Sequence, residues 1–305
     1  MKILRQGETD NTAQRIAVIG MFDGVHCGHK FLIESLHSHA IDMNLVPTVI
    51  TFSNHPLAVI APHLVPPHLS TIQERISLLS GCGVDSCLML DFDDTLRELS
   101  ARQFMEMVYR DYGIRALLLG FNTRFGSDNH DSIERYCEIG KEIGITVIQA
   151  TEYGSGINSS AIRGMVADGD IENANRALGY HYSITGVVVK GKQLGRTIGF
   201  PTANIEVDDS LKLIPANGVY AVDVTMPHRG DTVYRAMLNI GRRPTVDVAG
   251  APITIEAHIM DLDEDLYGLT LNVEFLKFIR PERAFASLEE LKCQLANDRQ
   301  SVLII

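Results

Sequence analysis

Two short stretches of the chain combine residue types and spacings that suit chemistry on phosphates. The first, GMFDGVHCGHK, spans residues 20–30 and sets His26 and His29 among Gly20, Gly24 and Gly28. It follows the apolar run RIAVI, so it reads as a strand, a glycine-bearing turn and the start of a helix. The first turn of a helix presents unpaired N–H groups and a partial positive charge, which favours an anion. The glycines let a ligand come close to the backbone. Two histidines three apart on a helix share a face and can both donate to one polyphosphate.

The second stretch is GKQLGRTIGFPTANI, residues 191–205. Gly191, Gly195 and Gly199 make a loop able to wrap phosphates, and Arg196 adds charge. After Pro201, Thr202 and Asn204 offer two neutral oxygen ligands of the kind that suit Mg²⁺. From spacing alone the stretch reads equally well as a glycine-rich surface loop.

The elements that must position these residues fall into two textures. Up to about Gly179, β-rich apolar runs (RIAVIG, LVPTVITF, DSCLML, RALLLGF, ITVIQA) alternate with helical patterns such as KFLIESLHSHAIDM and RQFMEMVYRDYG. That alternation predicts a parallel sheet covered by helices on both faces. AIRGMVADGDIENANRALG closes this half as a pair of short helices. From Tyr182 the chain turns to strands rich in Val, Ile and Thr: YSITGVVVKG, GVYAVDVTM, TVYRAMLNI, ITIEAHIMD and LTLNVEFLKFI. PHRG between the second and third, and DEDLYG between the last two, read as hairpin turns. An antiparallel sheet curled into a small barrel is expected, with SLEELKCQLANDRQ as a final amphipathic helix capped by Ser287. The expected domains are 1–181 and 182–305.

Composition narrows the function classes. Lys and Arg number 27 against 38 Asp and Glu, a formal charge of −11, which argues against a nucleic-acid binder or a protein that coats anionic membranes. The first twenty residues lack the apolar stretch of a secretion signal, and no run approaches a bilayer-spanning length. The five cysteines are scattered without a CxxC pair, so reduced thiols in a cytoplasm are expected. DLDEDLYG resembles a calcium loop, but Leu266 and Asn272 stand where Gly and Glu are needed. DFDD at 91–94 reads as a solvated acidic turn, and His37, His39, His63, His68, His181 and His228 as surface residues.

The decapeptide GMFDGVHCGH resembles the nucleotidylyltransferase superfamily, which transfers AMP from ATP. Within it, the residues are similar to bacterial bifunctional riboflavin kinase/FMN adenylyltransferases. TFSNHP (51–56), GFNTRFG (120–126) and INSSAIR (157–163) resemble further segments of that family. The resemblance implies an ATP site of Gly20, Phe22, His26, His29, Ser159, Ser160 and Arg163, and flavin contacts from His55, Asn122 and Arg124. Asn158 and Ser160 stand where Ser and Thr are usual, and SDNHDS after Gly126 lacks the basic residue common there. A class I aminoacyl-tRNA synthetase shares the histidine pattern, but its Lys-rich second motif and room for tRNA domains are missing.

GKQLGRTIGFPTAN looks like the riboflavin kinase motif at every fixed position, with GVYAV, NIGRRPT, IEAHIMD and FIRPERAF as matching flanks. The resemblance implies a Rossmann-like adenylyltransferase domain followed by a kinase barrel. It further implies Glu256 as catalytic base, Gly191, Gly195 and Arg196 around ATP, Thr202 and Asn204 on Mg²⁺, and Arg280 and Phe285 near the flavin ring. Riboflavin, FMN, FAD and ATP are the expected partners. Three rival functions stand beside this: a monofunctional kinase with a drifted N-terminal half, a flavin-sensing protein without turnover, and a related cytidylyltransferase. The second calls for loss of Glu256, Thr202, Asn204 or either histidine, and all five are present. The third leaves the kinase motif unexplained.

Overall fold

The computed structural model describes residues 1–121, 123–128, 132–154, 156–191, 194–230, 232–242 and 253–305. Asn122, the centre of SDNHDS and most of RRPT lie outside these residues. The chain divides into two compact units, Met1–Ser159 and Ser160–Ile305.

Among the described residues, the first unit holds six strands: β1 (Lys2–Arg5), β2 (Arg15–Ile19), β3 (Val46–Phe52), β4 (Ser86–Leu90), β5 (Ile114–Leu119) and β6 (Thr146–Gln149). They form one sheet in the order β1-β4-β3-β2-β5-β6, and every pairing is parallel. β2 and β4 are buried at every residue, which explains their unbroken apolar runs. The connecting helices are α1 (Cys27–Met43), α2 (Leu57–Ile60), α3 (Ile72–Gly81), α4 (Asp94–Glu98), α5 (Ala101–Tyr112) and α6 (Ile133–Ile143). Two apolar clusters sandwich the sheet. One joins Ile16, Val18 and Val49 to Ile33, Leu36 and Ala40 of α1, and the other joins Leu88 and Leu117 to Phe104, Met105 and Val108 of α5. α3 and α5 start on capping boxes, Thr71 with Glu74 and Ser100 with Gln103. β1 is absent from the sequence prediction because a four-residue edge strand, KILR, is too short to display a period.

The strand order reverses beside β2: β3 and β4 lie to one side of it, β5 and β6 to the other. Ligands of open parallel sheets bind in the crevice beyond the strand C-termini at such a reversal. GMFDGVHCGH begins there, immediately after Ile19.

α7 (Ser159–Ala167) opens on the last residue of the first unit, and α8 (Ile171–Leu178) lies in the second. Among the described residues six strands follow: β7 (Ser183–Val189), β8 (Ala203–Glu206), β9 (Gly218–Thr225), β10 (Val233–Arg242), β11 (Ile253–Ile259) and β12 (Thr270–Arg280). They close into an antiparallel barrel in the order β10-β11-β8-β7-β12-β9. A one-turn helix, α9 (Leu194–Thr197), interrupts the glycine stretch, and α10 (Leu288–Leu303) ends the chain's regular structure. Ser287 caps α10, its Oγ accepting from the Glu290 N–H at 3.2 Å.

Two readings are corrected. DEDLYG is not a hairpin turn, because β11 and β12 are not neighbours: β8 and β7 sit between them, so closing the barrel sends this connection across its end. The end of the glycine stretch is not loop either, since Ala203 and Asn204 belong to β8 and pair with β11. α8 serves as a bracket for the barrel wall. The Asn175 side chain donates to the Phe275 carbonyl at 2.8 Å and accepts from the Tyr182 N–H at 2.7 Å.

Candidate functional site

The first site starts where β2 ends. Asp23, buried in the turn, accepts from the N–H groups of Leu69 and Ser70 at 3.0 and 2.9 Å, and the Ser70 hydroxyl accepts from the Gly24 N–H at 2.9 Å. These bonds hold a turn in which Phe22 and Val25 take left-handed backbone angles, φ 51° and 34°, conformations that need such support in residues with a Cβ. His26 then caps α1, its Nδ1 accepting from the His29 N–H at 3.4 Å. The two imidazoles stack with centroids 3.7 Å apart. Gly28 keeps that stack intact, since a Cβ there would lie 3.2 Å from the His26 ring. Burial first, then His26 and Arg75, hold the His29 pKa well below the ordinary histidine value. At neutral pH His29 therefore presents an uncharged ring with one N–H.

Ser159 opens α7 and donates its hydroxyl to the Asp23 carbonyl at 3.1 Å, which ties that helix start to the histidine turn. Ser160 and Arg163 follow on α7 in the second unit. Phe22 is 1 % exposed and packs its ring 5.0 Å from that of His29. Gly20 lies above that ring, where a Cβ would approach Phe22 to 3.3 Å.

A cavity of about 810 Å³ opens beside Gly20, Phe22 and His29. Phe52, Phe92, Phe104, Phe125 and Pro56 give it apolar walls, and Arg97 and Arg124 contribute cations. Its size and lining suit a flat aromatic ring carrying an anion. His55 does not line it: its Nδ1 accepts from the Leu57 N–H at 3.1 Å at the start of α2, and the neighbouring Pro56 reaches the cavity instead. Asn122 lies outside the described residues. The acidic Asp128 has a structural task, accepting from the Ala101 N–H at the start of α5 at 2.8 Å.

The second site lies at one end of the barrel. Glu256 on β11 stands opposite Asn204 of β8 on one side and Asn239 of β10 on the other. The Thr202 hydroxyl donates to Glu256 Oε2 at 3.4 Å. Gly191 is required by close approach, because a Cβ there would fall 2.2 Å from Asn204 Nδ2. Gly195 is equally confined, with its Cβ position 2.2 Å from the Phe200 carbonyl oxygen.

Two cavities meet at Thr202. One, of about 160 Å³, is lined by Arg196 and by Asp263 to Tyr267 from the crossing connection. The other, of about 260 Å³, is lined by Glu256, Asn239, His258, Arg280, Glu282 and Phe285 together with apolar residues of the barrel and α10. Thr202 lines both. Arg280 reaches this wall but is not a free cation, since its guanidinium grips buried Asp298 of α10 with bonds of 2.7–3.0 Å. The Phe285 ring lies against two guanidinium groups, 4.8 Å from Arg283 and 5.8 Å from Arg280.

Several residues at these sites were not singled out from sequence. His258 had a usable signal, since a residue two beyond Glu256 on an alternating strand shares its face. Asp23, Ser70, Arg75 and Asp298 had none, because their partners are distant in sequence. Of the histidines expected at the surface, His63, His181 and His228 are exposed, whereas His37, His39 and His68 are half-buried. His37 sits 3.0 Å from the Cys82 carbonyl oxygen through Nε2. DFDD also has more than solvent to meet: Asp93 caps α4, accepting from the Leu96 N–H at 2.7 Å.

Fold and sites together define a protein with two ATP-using halves, a nucleotidylyltransferase-type sheet and a flavokinase-type barrel. Family models agree, FAD synthetase matching residues 8–162 and riboflavin kinase residues 178–304. The chain belongs to the bifunctional riboflavin kinase/FMN adenylyltransferase family. It is 37% identical over 287 residues to the Escherichia coli (strain K12) bifunctional riboflavin kinase/FMN adenylyltransferase, covering 93% of this chain and 90% of that one. The Bacillus subtilis (strain 168) protein of the same name is 31% identical over 298 residues, with 96% and 93% covered. A crystal structure described as a macrolide-efflux protein from Streptococcus pneumoniae matches with TM-score 0.87 and 30% identity over 99% of each chain. Among the described residues, no helix is long and apolar enough to cross a membrane.

Proposed function

We propose that the chain converts riboflavin to FAD in two ATP-dependent steps, with the activities divided between residues 1–181 and 182–305. The observation that carries this reading is that each unit has cavities of its own with side chains suited to phosphate chemistry: His29 and Arg124 line one in the first unit, and in the second Arg196 and Glu256 line two that meet at Thr202.

In the kinase half the nucleophile is the ribityl 5′-hydroxyl, neutral at pH 7, so a base beside it lowers the barrier. Glu256 takes the hydroxyl proton as the oxygen attacks the γ-phosphorus, and ADP leaves. ATP lies on the Arg196 side of Thr202, around Gly191 and Gly195, and riboflavin on the Glu256 side against Phe285 and Arg280. The Thr202 hydroxyl and Asn204 amide, beside the Glu256 carboxylate, make an all-oxygen donor set that fits Mg²⁺. Thr202 and Asn204 would hold the ion, which when bound neutralises charge on the phosphoryl group.

In the adenylyltransferase half an oxygen of the FMN phosphate attacks the α-phosphorus of a second ATP, and pyrophosphate leaves. The phosphate is already anionic, so positioning and charge stabilisation suffice. His26, His29, Ser159, Ser160 and Arg163 orient the triphosphate, with Gly20 and Phe22 beneath it. The apolar cavity takes the flavin, with Arg124 on its wall, while His55 and Asn122 stay flavin contacts on the strength of the family resemblance alone. Five cysteines, none of them in a disulfide among the described residues, support a reducing, cytoplasmic location.

Incubating the protein with riboflavin, ATP and Mg²⁺ and separating flavins by chromatography tests this. FMN should appear first and FAD after it. FMN without FAD would establish a monofunctional kinase, and neither product would leave a flavin-binding protein.

A further inference from the structure

His258 lies two residues beyond Glu256 on β11, so both side chains share one strand face and line the same cavity. β8 pairs with β11 through two residues only, Asn204 opposite Glu256 and Ala203 opposite Ala257. One step further, at Thr202 and Pro201, the ladder stops, and Pro201 has no N–H to extend it. There the His258 side chain takes over. Its Nδ1 lies 2.8 Å from the Pro201 carbonyl oxygen. A carbonyl only accepts, so Nδ1 carries the proton in this bond. The Phe200 ring meets the imidazole edge-on at 5.3 Å, and His258 is 9 % exposed. The segment that delivers Thr202 to Glu256 is thus clamped by one buried side chain.

We propose that His258 is a positioning residue of the kinase half. Its Nδ1–H bond to the Pro201 carbonyl replaces the missing ladder bond and holds Thr202 against Glu256. This rests on reading the Glu256 cavity as the riboflavin side of the kinase. In this role the imidazole orients the segment through its Nδ1–H and passes no proton to the substrate.

The test uses the full-length protein with His258→Ala, His258→Asn and His258→Gln. The asparagine amide nitrogen occupies the place of Nδ1, whereas the glutamine amide nitrogen mimics Nε2. Loss of an outer-shell bond of this kind typically costs about 10–100-fold in activity. Riboflavin phosphorylation should fall by that order in kcat for Ala and Gln, and Asn should restore it to within a few-fold. Conversion of supplied FMN to FAD should stay near wild type in all three. Asn no better than Gln would overturn the proposal. So would a wild-type kinase profile with an acidic limb that vanishes in His258→Asn, which would make the ring a proton carrier. If His258→Ala does not fold, the Asn and Gln pair still decides. Glu256→Gln run alongside separates the two claims: unchanged turnover there sinks the reading of the cavity, while a dead Glu256→Gln beside a fully active His258→Gln sinks only the role of His258.

Discussion

His29 rests face to face on His26, ring centroids 3.7 Å apart and planes inclined by 17°, while the Nδ1 of His26 caps the helix that carries both. Burial above all, then the neighbouring His26 ring and the guanidinium of Arg75, disfavours a proton on His29. In the proposed adenylyltransferase reaction His29 would meet ATP as a neutral hydrogen-bond donor on a helix start. Negative charge developing on phosphate is then matched by oriented N–H groups and the helix dipole.

Replacing His29 by alanine should abolish FMN-to-FAD conversion and leave riboflavin phosphorylation intact. Removal of one preorganised donor to a developing phosphate charge typically costs ~2.7–4 kcal/mol, or ~10²–10³ in rate. Separate assays of the two half-reactions on one preparation check this. FAD synthesis at the wild-type rate would reduce the histidine to a packing element.

The depressed pKa of His29 also sets a stability slope. Unfolded, the imidazole titrates near pH 6.5, and folded it titrates well lower. Between those values the unfolded state binds a proton that the folded state refuses, so stability falls as pH drops from about 6.5. The loss is at most about 1.4 kcal/mol per pH unit and ends once the folded-state pKa is passed. Urea unfolding of wild type and His29→Asn between pH 7.5 and 5 should show a shallower slope in the variant. Parallel slopes would mean that His29 titrates normally.

Glu256→Gln keeps the side chain's shape and its contact with Thr202 but cannot accept the hydroxyl proton. Riboflavin phosphorylation should drop by ~10²–10⁴-fold, the usual worth of a positioned base. Supplied FMN should still become FAD at the wild-type rate, because that nucleophile is already ionised. Loss of both activities would indicate misfolding instead.

Gly191→Ala should cut kinase turnover without affecting FAD synthesis from FMN. The new methyl would fall 2.2 Å from Asn204 Nδ2, so the amide proposed to face Mg²⁺ must shift. A decrease of about 10–100-fold is expected, as for other changes that displace a ligand-orienting group. Unaltered activity would show that Asn204 has room to shift without consequence.

The barrel should stand alone best when its helical bracket is kept. A fragment of 160–305 retains Asn175, bonded to both Phe275 and Tyr182, and the buried Ile171 and Leu178 of α8. A fragment of 182–305 contains every proposed kinase group but loses this cover, at ~1.5–3 kcal/mol for each large buried apolar side chain. Both should phosphorylate riboflavin, the shorter with the lower thermal midpoint. Equal midpoints would show that α8 contributes nothing to the barrel.

Strand–helix alternation before Gly179 and period-two strands after Tyr182 made the parallel sheet and the barrel legible, because burial on two faces and on one face leave different patterns in a sequence. The histidine turn was legible too, since local spacing on a helix start decides which groups are neighbours. Three things were not. KILR is too short for a pattern, yet the open edge of β4 recruits it as β1. DEDLYG has the composition of a hairpin turn, but barrel closure places β8 and β7 between the strands it joins, and so puts it beside Arg196. Arg280 reads from its motif as a neighbour of the flavin ring, and only the packing of α10 brings Asp298 under its guanidinium. His258 shows the same division: alternation sets it on the face of Glu256, but its bond to Pro201 exists because β8 folds back beside β11 from more than fifty residues away. Local periodicity and motif spacing are properties of neighbours in the chain, whereas partners across a closed barrel are chosen by which strands must meet to satisfy every edge.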